Sequence, residues 1–167
     1  TNLVAHDRGR PLHVFDANKL KGNMRARLAK PGETLLALDG KTYTLDADMV
    51  VIADDAAARG IAGVMGGEET GCTEATSDVF VESALFDPVR TAATGRKLGI
   101  VSDARYRFER GVDPQFVITG LELATRLILE FCGGEAAQVV VAGAPPPSKG
   151  AIAFAPAEVK RLAGLDL

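Results

Sequence analysis

The stretch Glu33-Thr34-Leu35-Leu36-Ala37-Leu38-Asp39-Gly40-Lys41-Thr42-Tyr43-Thr44-Leu45 decides how the first half of this chain is read. Two strand-like runs flank Asp39-Gly40, and Asp-Gly in that setting is the signal for a two-residue type I′ hairpin turn. The neighbouring segments agree with a strand reading. Met24-Arg25-Ala26-Arg27-Leu28-Ala29 alternates apolar and basic residues, and Met49-Val50-Val51-Ile52-Ala53 is a short apolar run that suits a buried strand. A glycine-rich stretch, Gly60 to Gly71, precedes a further strand from Asp78 to Phe86.

The second half turns helical. Asp113-Pro114 makes an N-cap and first-turn pair. Beyond it Val117, Leu121, Ala124, Ile128 and Phe131 recur at three- and four-residue spacing, and Gly133-Gly134 stops the helix. Gln138 to Ala142 reads as another short strand. Ala144-Pro145-Pro146-Pro147-Ser148 is a linker, because consecutive prolines fit neither a helix interior nor a central strand. Residues 151–167 have their own strand-then-helix pattern, with Pro156 at the first helical position and Gly164 near the stop. The expected organisation is a domain over residues 1–143, a linker over 144–150, and the start of a following domain over 151–167. Mixed strands followed by helices without strict alternation predict an α+β fold with antiparallel or mixed sheets.

Composition narrows the class. The chain has 167 residues, 47% hydrophobic and 25% charged, which excludes disordered, collagen-like and disulfide-scaffold readings. No run of about eighteen apolar residues exists, so no membrane span is expected. A net charge of −3 argues against gripping nucleic acid by bulk charge. Cys72 and Cys132 form no CxxC pair and no signal peptide is present, which points to a reducing cytoplasm. The start at Thr1-Asn2 without Met suggests a piece of a longer chain.

Common catalytic signatures are missing: there is no GxSxG elbow, P-loop or HExxH. The glycines of 60–71 do not form GxGxxG. They serve either a sharp turn or a backbone that must approach a ligand closely. His6 and His13, near Asp7 and Asp16, lie in a region that reads as extended, and their spacing fits no zinc pattern, so no metal site is expected. Cys132, just before the helix stop, reads as a small buried thiol. Glu82 is the most informative residue. It sits in a strand apolar on both faces, and a buried carboxylate must be partnered or protonated. Two roles remain open, an ion pair with an arginine and a polar anchor at the bottom of a ligand pocket. The run Ser102 to Pro114 interleaves basic and aromatic residues. It reads either as a phosphate patch or as an ion-pair network of Arg107, Arg110, Glu109 and Asp113.

Thr1-Asn2, Arg10-Pro11-Leu12-His13-Val14-Phe15-Asp16, Gly63-Val64-Met65-Gly66-Gly67-Glu68, Glu82-Ser83-Ala84 and Ser102 to Pro114 follow one another in this order. Together they resemble the editing module of the bacterial phenylalanyl-tRNA synthetase β chain. The resemblance implies an α+β module that hydrolyses tyrosine mis-attached to phenylalanine tRNA by direct water attack. It implies a parent α2β2 enzyme that pairs this β chain with an α chain and uses ATP and magnesium, with no cofactor in the module itself. The residues carry over singly. Glu82 matches the glutamate that contacts the tyrosine phenol, and His13 the histidine of the editing site. Asn2 matches an asparagine beside it, Gly63 and Gly66 the glycines of the pocket wall, Ser102 a position where many members have Thr, and Ala104 a small residue next to it. Two rival readings stand beside this one. One is a tRNA-positioning or architectural module that does not edit; the other is a metal-dependent hydrolase built on His6 and His13.

Overall fold

The computed structural model describes residues 1–147, 150–151 and 153–166. Strand β5 (Val50–Ala53) is the element on which the rest is laid, between antiparallel neighbours β2 (Arg25–Leu28) and β6 (Ala58–Ile61). A short β7 (Met65–Gly66) completes a four-stranded sheet in the order β2-β5-β6-β7. Val51 and Ala53 join a core with Ala29, Leu35, Leu45, Met49, Ile61, Val64 and Ile100. Ile52 joins a second cluster with Phe15 and Ala62, edged by Leu20, Met24 and Phe86. A strand buried on both faces has no polar side to show, which is why Met49–Ala53 does not alternate.

The hairpin forms as β3 (Thr34–Leu36) and β4 (Thr42–Thr44), but with a different turn from the one expected. Leu36 pairs with Thr42 and the Ala37 N–H bonds the Lys41 carbonyl, so the loop has three residues. Gly40 alone takes a positive φ, 75°, while Asp39 does not. A type I′ turn needs both central residues left-handed. The chain avoids that strain at Asp39 by closing with a turn and a glycine bulge. Bonds from Leu38 N to Gly66 O and from Glu68 N to Leu36 O stitch the hairpin to the end of β7.

The strand expected over Asp78–Phe86 forms as the shorter β8 (Val79–Glu82), antiparallel to β1 (His13–Asp16). Helix α1 (Asn2–Arg8) precedes β1, so the His6 region is helical rather than extended. Two further helices, like α1, have no counterpart among the expected elements. α2 (Pro88–Leu98) is capped by Asp87, which accepts the Arg90 N–H, and ends at left-handed Gly99. α3 (Asp103–Phe108) is capped by the Ser102 hydroxyl. Asp113-Pro114 caps a 3₁₀ turn, Pro114–Phe116, which runs directly into α4 (Val117–Cys132) and stops at Gly133. Cys132 is exposed there, not buried.

Gln138–Ala142 forms no strand. Val139, Val140 and Val141 are exposed, because nothing in the described residues offers this segment a ladder. Helix α5 (Ala157–Ala163) ends at left-handed Gly164 as expected, with Pro156 one position earlier than its expected place, at the cap. Ala151 and Ala153–Ala155 carry no strand, and Ser148, Lys149, Ile152 and Leu167 lie outside the described residues. The architecture is α+β with antiparallel sheets and packed helices. Among the described residues no helix is long and apolar enough to cross a membrane.

Buried charges away from the second cluster are closely partnered. Glu33 takes both guanidinium nitrogens of Arg27, at 2.6 and 2.9 Å, and the Lys30 and Ala58 N–H groups. Asp54 accepts from Lys21 N, Ala56 N, Ala57 N and the Arg59 Nε at 2.8 Å. Each carboxyl is held near a pKa of about 2. At Glu33 the Arg27 hydrogen bond is the main cause; at Asp54 the backbone and Arg59 bonds outweigh the opposing effect of burial.

Candidate functional site

The second cluster opens into a pocket of about 70 Å³. It is lined by the start of β1 with Pro11 and Leu12, by Glu82 across the ladder on β8, by Phe86 and Phe108, and by the chain from Gly60 to Gly66. That glycine stretch is a hairpin of β6 and β7, with Gly60 opposite Gly66 and Ile61 opposite Met65. It is no phosphate cradle, since both glycines sit in a ladder and no helix follows.

Two of the glycines are required by their surroundings. Gly63 turns the hairpin at φ 70°, where a side chain is strained, and a Cβ there would crowd Phe86, Phe108 and Thr91. Gly66 faces His13 so closely that a Cβ would overlap the imidazole. The sharp-turn reading holds at Gly63, whereas the close approach at Gly66 is to the His13 ring of the chain itself.

His13 and Glu82 are directly paired across β1 and β8. The imidazole lies edge-on to Phe15, with ring centroids 4.3 Å apart, and its buried Nε2 has no hydrogen-bond partner among the described residues. Burial lowers its pKa, so the ring is neutral at pH 7. Glu82 receives no ion pair or hydrogen bond among the described residues. Desolvation alone pushes its carboxyl up to about 7. The arginine ion pair expected as one alternative does not form. A half-buried carboxyl in an apolar pocket, beside an imidazole with an unused nitrogen, can take a hydroxyl from an incoming group and hold a water.

The remaining expected residues divide. Ala104 lines the pocket from α3, together with Gly63 and Gly66. Ser102 stands one layer behind: its hydroxyl donates to the Val64 carbonyl at 2.5 Å and accepts the Arg105 N–H at 3.0 Å, fixing α3 against the hairpin. Asn2 is exposed on α1 and does not line the pocket. His6 is exposed on that same helix, separate from His13, and no group of three or more His, Cys, Asp or Glu gathers among the described residues.

Phe86 and Phe108 also line the pocket, and their rings meet edge-to-face with centroids 5.0 Å apart. Nothing in the sequence marks them out, because an isolated Phe gives no sign of lining a pocket rather than filling a core. The basic run of α3 resolves as ion pairs: Arg105 and Arg110 on Glu109, and Arg107 on Asp103 rather than Asp113. A larger cavity of about 180 Å³ lies on the other side of Phe86, between β2 and α2. Its charged lining residues, Asp87 and Arg90, are both exposed, so it lacks the buried titratable pair of the smaller pocket.

Residues 1–133 match the family model described as the B3/4 domain. Over all 167 residues the chain is 59% identical to the phenylalanine–tRNA ligase beta subunit of Paramagnetospirillum magneticum and 60% identical to that of Rhodopseudomonas palustris. Over 166 residues it is 62% identical to that of Rhodospirillum rubrum. The matches take in 99–100% of this chain and 21% of each relative, so the chain spans about a fifth of their length.

Proposed function

The chain belongs to the B3/4 domain family, and from its pocket we propose that it is the editing module of a phenylalanine–tRNA ligase β subunit, hydrolysing tyrosine mis-attached to phenylalanine tRNA. The observation that carries this reading is the Glu82 carboxyl, unpartnered in an apolar pocket and opposite His13. A pocket made for phenylalanine rejects tyrosine only weakly, because one added hydroxyl gives about a hundredfold discrimination. A second site needs the reverse preference. A tyrosyl phenol donates its hydrogen bond to Glu82, whereas phenylalanine leaves that carboxyl bare, and an unsatisfied buried polar group costs roughly 1–3 kcal/mol.

The chemistry required of the site is ester hydrolysis by water. Neutral His13, with Nε2 buried and unbonded, is suited to hold that water, and a terminal-ribose hydroxyl of the tRNA can share the task. Ala104 shapes the wall, Ser102 fixes that wall from behind, and Asn2, exposed on α1, has its part outside the pocket. In this proposal ATP and magnesium serve a synthetic site on the α chain of an α2β2 ligase and enter no step here. Phenylalanine tRNA and the α chain are its partners, residues 1–143 form the module, and the cytoplasm is its compartment.

The test is deacylation by the complete ligase of tyrosyl and phenylalanyl esters of phenylalanine tRNA. Preferential release of tyrosine is the expected outcome. Charging with phenylalanine but no release of tyrosine rejects editing and leaves the tRNA-positioning reading.

A further inference from the structure

We propose that Arg10 is a positioning residue for the Glu82 carboxyl, holding the end of β8 in the one direction that aims that carboxyl into the pocket. The inference rests on the editing reading above.

Arg10 is 1% exposed, although a guanidinium is always charged and costly to desolvate. It forms no ion pair with a carboxylate among the described residues. Its guanidinium instead donates to two main-chain oxygens, Ala84 O at 3.0 Å and Asp113 O. Both acceptors are far along the chain, 74 and 103 positions away.

The reason lies in the ladder between β1 and β8, whose last pair is His13 with Glu82. Two further steps in the same register would bring Pro11 opposite Ala84. Proline has no N–H, so it cannot donate to a facing carbonyl, and the ladder stops short. Arg10, the residue before that proline, reaches the Ala84 carbonyl with its side chain. A closed ring results: Arg10 to His13 along one strand, across to Glu82, along to Ala84, and back to Arg10. The second donor ties the ring to Asp113, at the head of the 3₁₀ turn that leads into α4, and Ser83 Oγ donates to Val117 O at 2.8 Å on α4 itself. α4 makes room for the stem with a glycine: a Cβ at Gly120 would lie 3.1 Å from the Arg10 Cγ.

This clamp matters because no side chain among the described residues holds the Glu82 carboxyl. Its direction is set by its own backbone, fixed on one flank by the pairing with His13 and on the other by Arg10. A loosened Ala84 leaves the carboxyl free to turn away from a phenol without unfolding the sheet.

The experiment is a double-mutant cycle in the complete ligase with Arg10→Met, Glu82→Ala and both together. It measures kcat and KM for tyrosyl and phenylalanyl ester hydrolysis. Arg10→Met is expected to lower the tyrosyl-to-phenylalanyl preference about tenfold, through kcat for the tyrosyl ester. In the Glu82→Ala background the same change is expected to leave the preference where it is. The preference is a ratio, so a partly unfolded population scales both rates and does not move it. Arg10→Lys, which keeps the charge but serves one carbonyl, is expected to restore part of the loss. Gly120→Ala, which crowds Arg10 while keeping all its atoms, carries the comparison in place of an Arg10→Met protein that does not fold. Both rates falling together with preference unchanged overturns the inference, as does an equal effect in the Glu82→Ala background. A Glu82→Ala enzyme that keeps its preference strikes the editing assignment of Glu82 first, and the inference falls with it.

Discussion

Two sets of buried carboxyls in this molecule meet opposite fates. At Glu33 and Asp54, guanidinium and backbone N–H groups converge and hold each acid near a pKa of about 2. At Glu82 no donor among the described residues converges, and burial raises the acid to about 7. Asp54 is buried while Glu33 and Glu82 are both half-buried, so exposure alone does not distinguish them. The difference is partners. A carboxyl that the fold uses is surrounded by donors from its own chain, whereas one reserved for something else is left short of them.

The contrast can be broken most severely at Asp54. Asp54→Ala removes four hydrogen bonds and leaves the buried Arg59 with Glu69 alone, so unfolding free energy should fall by about 3–5 kcal/mol. Urea denaturation measures this; a loss under 1 kcal/mol would mean that solvent already supports Arg59.

Titration sharpens the contrast, because the two sets carry opposite signs. Glu82 is raised above its unfolded value, so its favourable contribution is complete below about pH 4.5 and is lost as pH rises through about 7. Glu33 and Asp54 are depressed, so their contributions are present above the ordinary carboxylate range and vanish as pH falls toward about 2. Glu82→Gln should therefore stabilise the protein at pH 8, by roughly 2–3 kcal/mol, and not at pH 4. Melting temperatures across that range decide it; a gain of equal size at pH 4 would assign the effect to packing.

The third break is functional. Glu82→Ala should slow tyrosyl ester hydrolysis by about ten- to a hundredfold, the value of a charge-assisted hydrogen bond of roughly 1.5–3 kcal/mol, while phenylalanyl ester hydrolysis holds or rises. Asp54→Ala, in whatever fraction remains folded, should leave that preference alone. Rates for both esters in both variants test the pair. The smallest effect is expected at Gly66. A Cβ there displaces the end of a side chain, His13, rather than backbone, so Gly66→Ala should cost about tenfold in deacylation with little change in melting temperature. Loss of stability with the rate would make Gly66 a folding residue instead.

The legible parts of the fold were those with both a period and a cap. α4 has an apolar repeat and a glycine stop, and it was read nearly to its ends. α2 carries the same Asp-Pro start at Asp87-Pro88, but Pro88–Leu98 is too polar to show a stripe, and it passed unread. β6 and β7 were hidden for another reason. Glycine has low strand propensity, and only the Gly60–Gly66 pairing shows that the run is a ladder. Gln138–Ala142 failed in reverse: three valines have propensity, but a strand needs a neighbour. In the site, Glu82 was legible as an acid out of place in an apolar strand. His13 was legible through the resemblance alone, since nothing local tells a lone histidine that it will face a carboxyl far along the chain. Asn2, drawn from the same resemblance, was not brought to the pocket. Arg10 gave no signal at all, because its partners are backbone oxygens.

The long reach of the Arg10 bonds also bears on how the molecule comes into being. Closing a loop costs more entropy the longer it is, so the contacts spanning 74 and 103 positions carry a larger closure cost than local ones such as the β3–β4 turn. The open end of the β1–β8 ladder is thus tied by the parts of the chain that are costliest to bring together. A ribosome must have released Asp113 before the Arg10 guanidinium can find its second oxygen, and until then the Glu82 end of β8 lacks its outer tie.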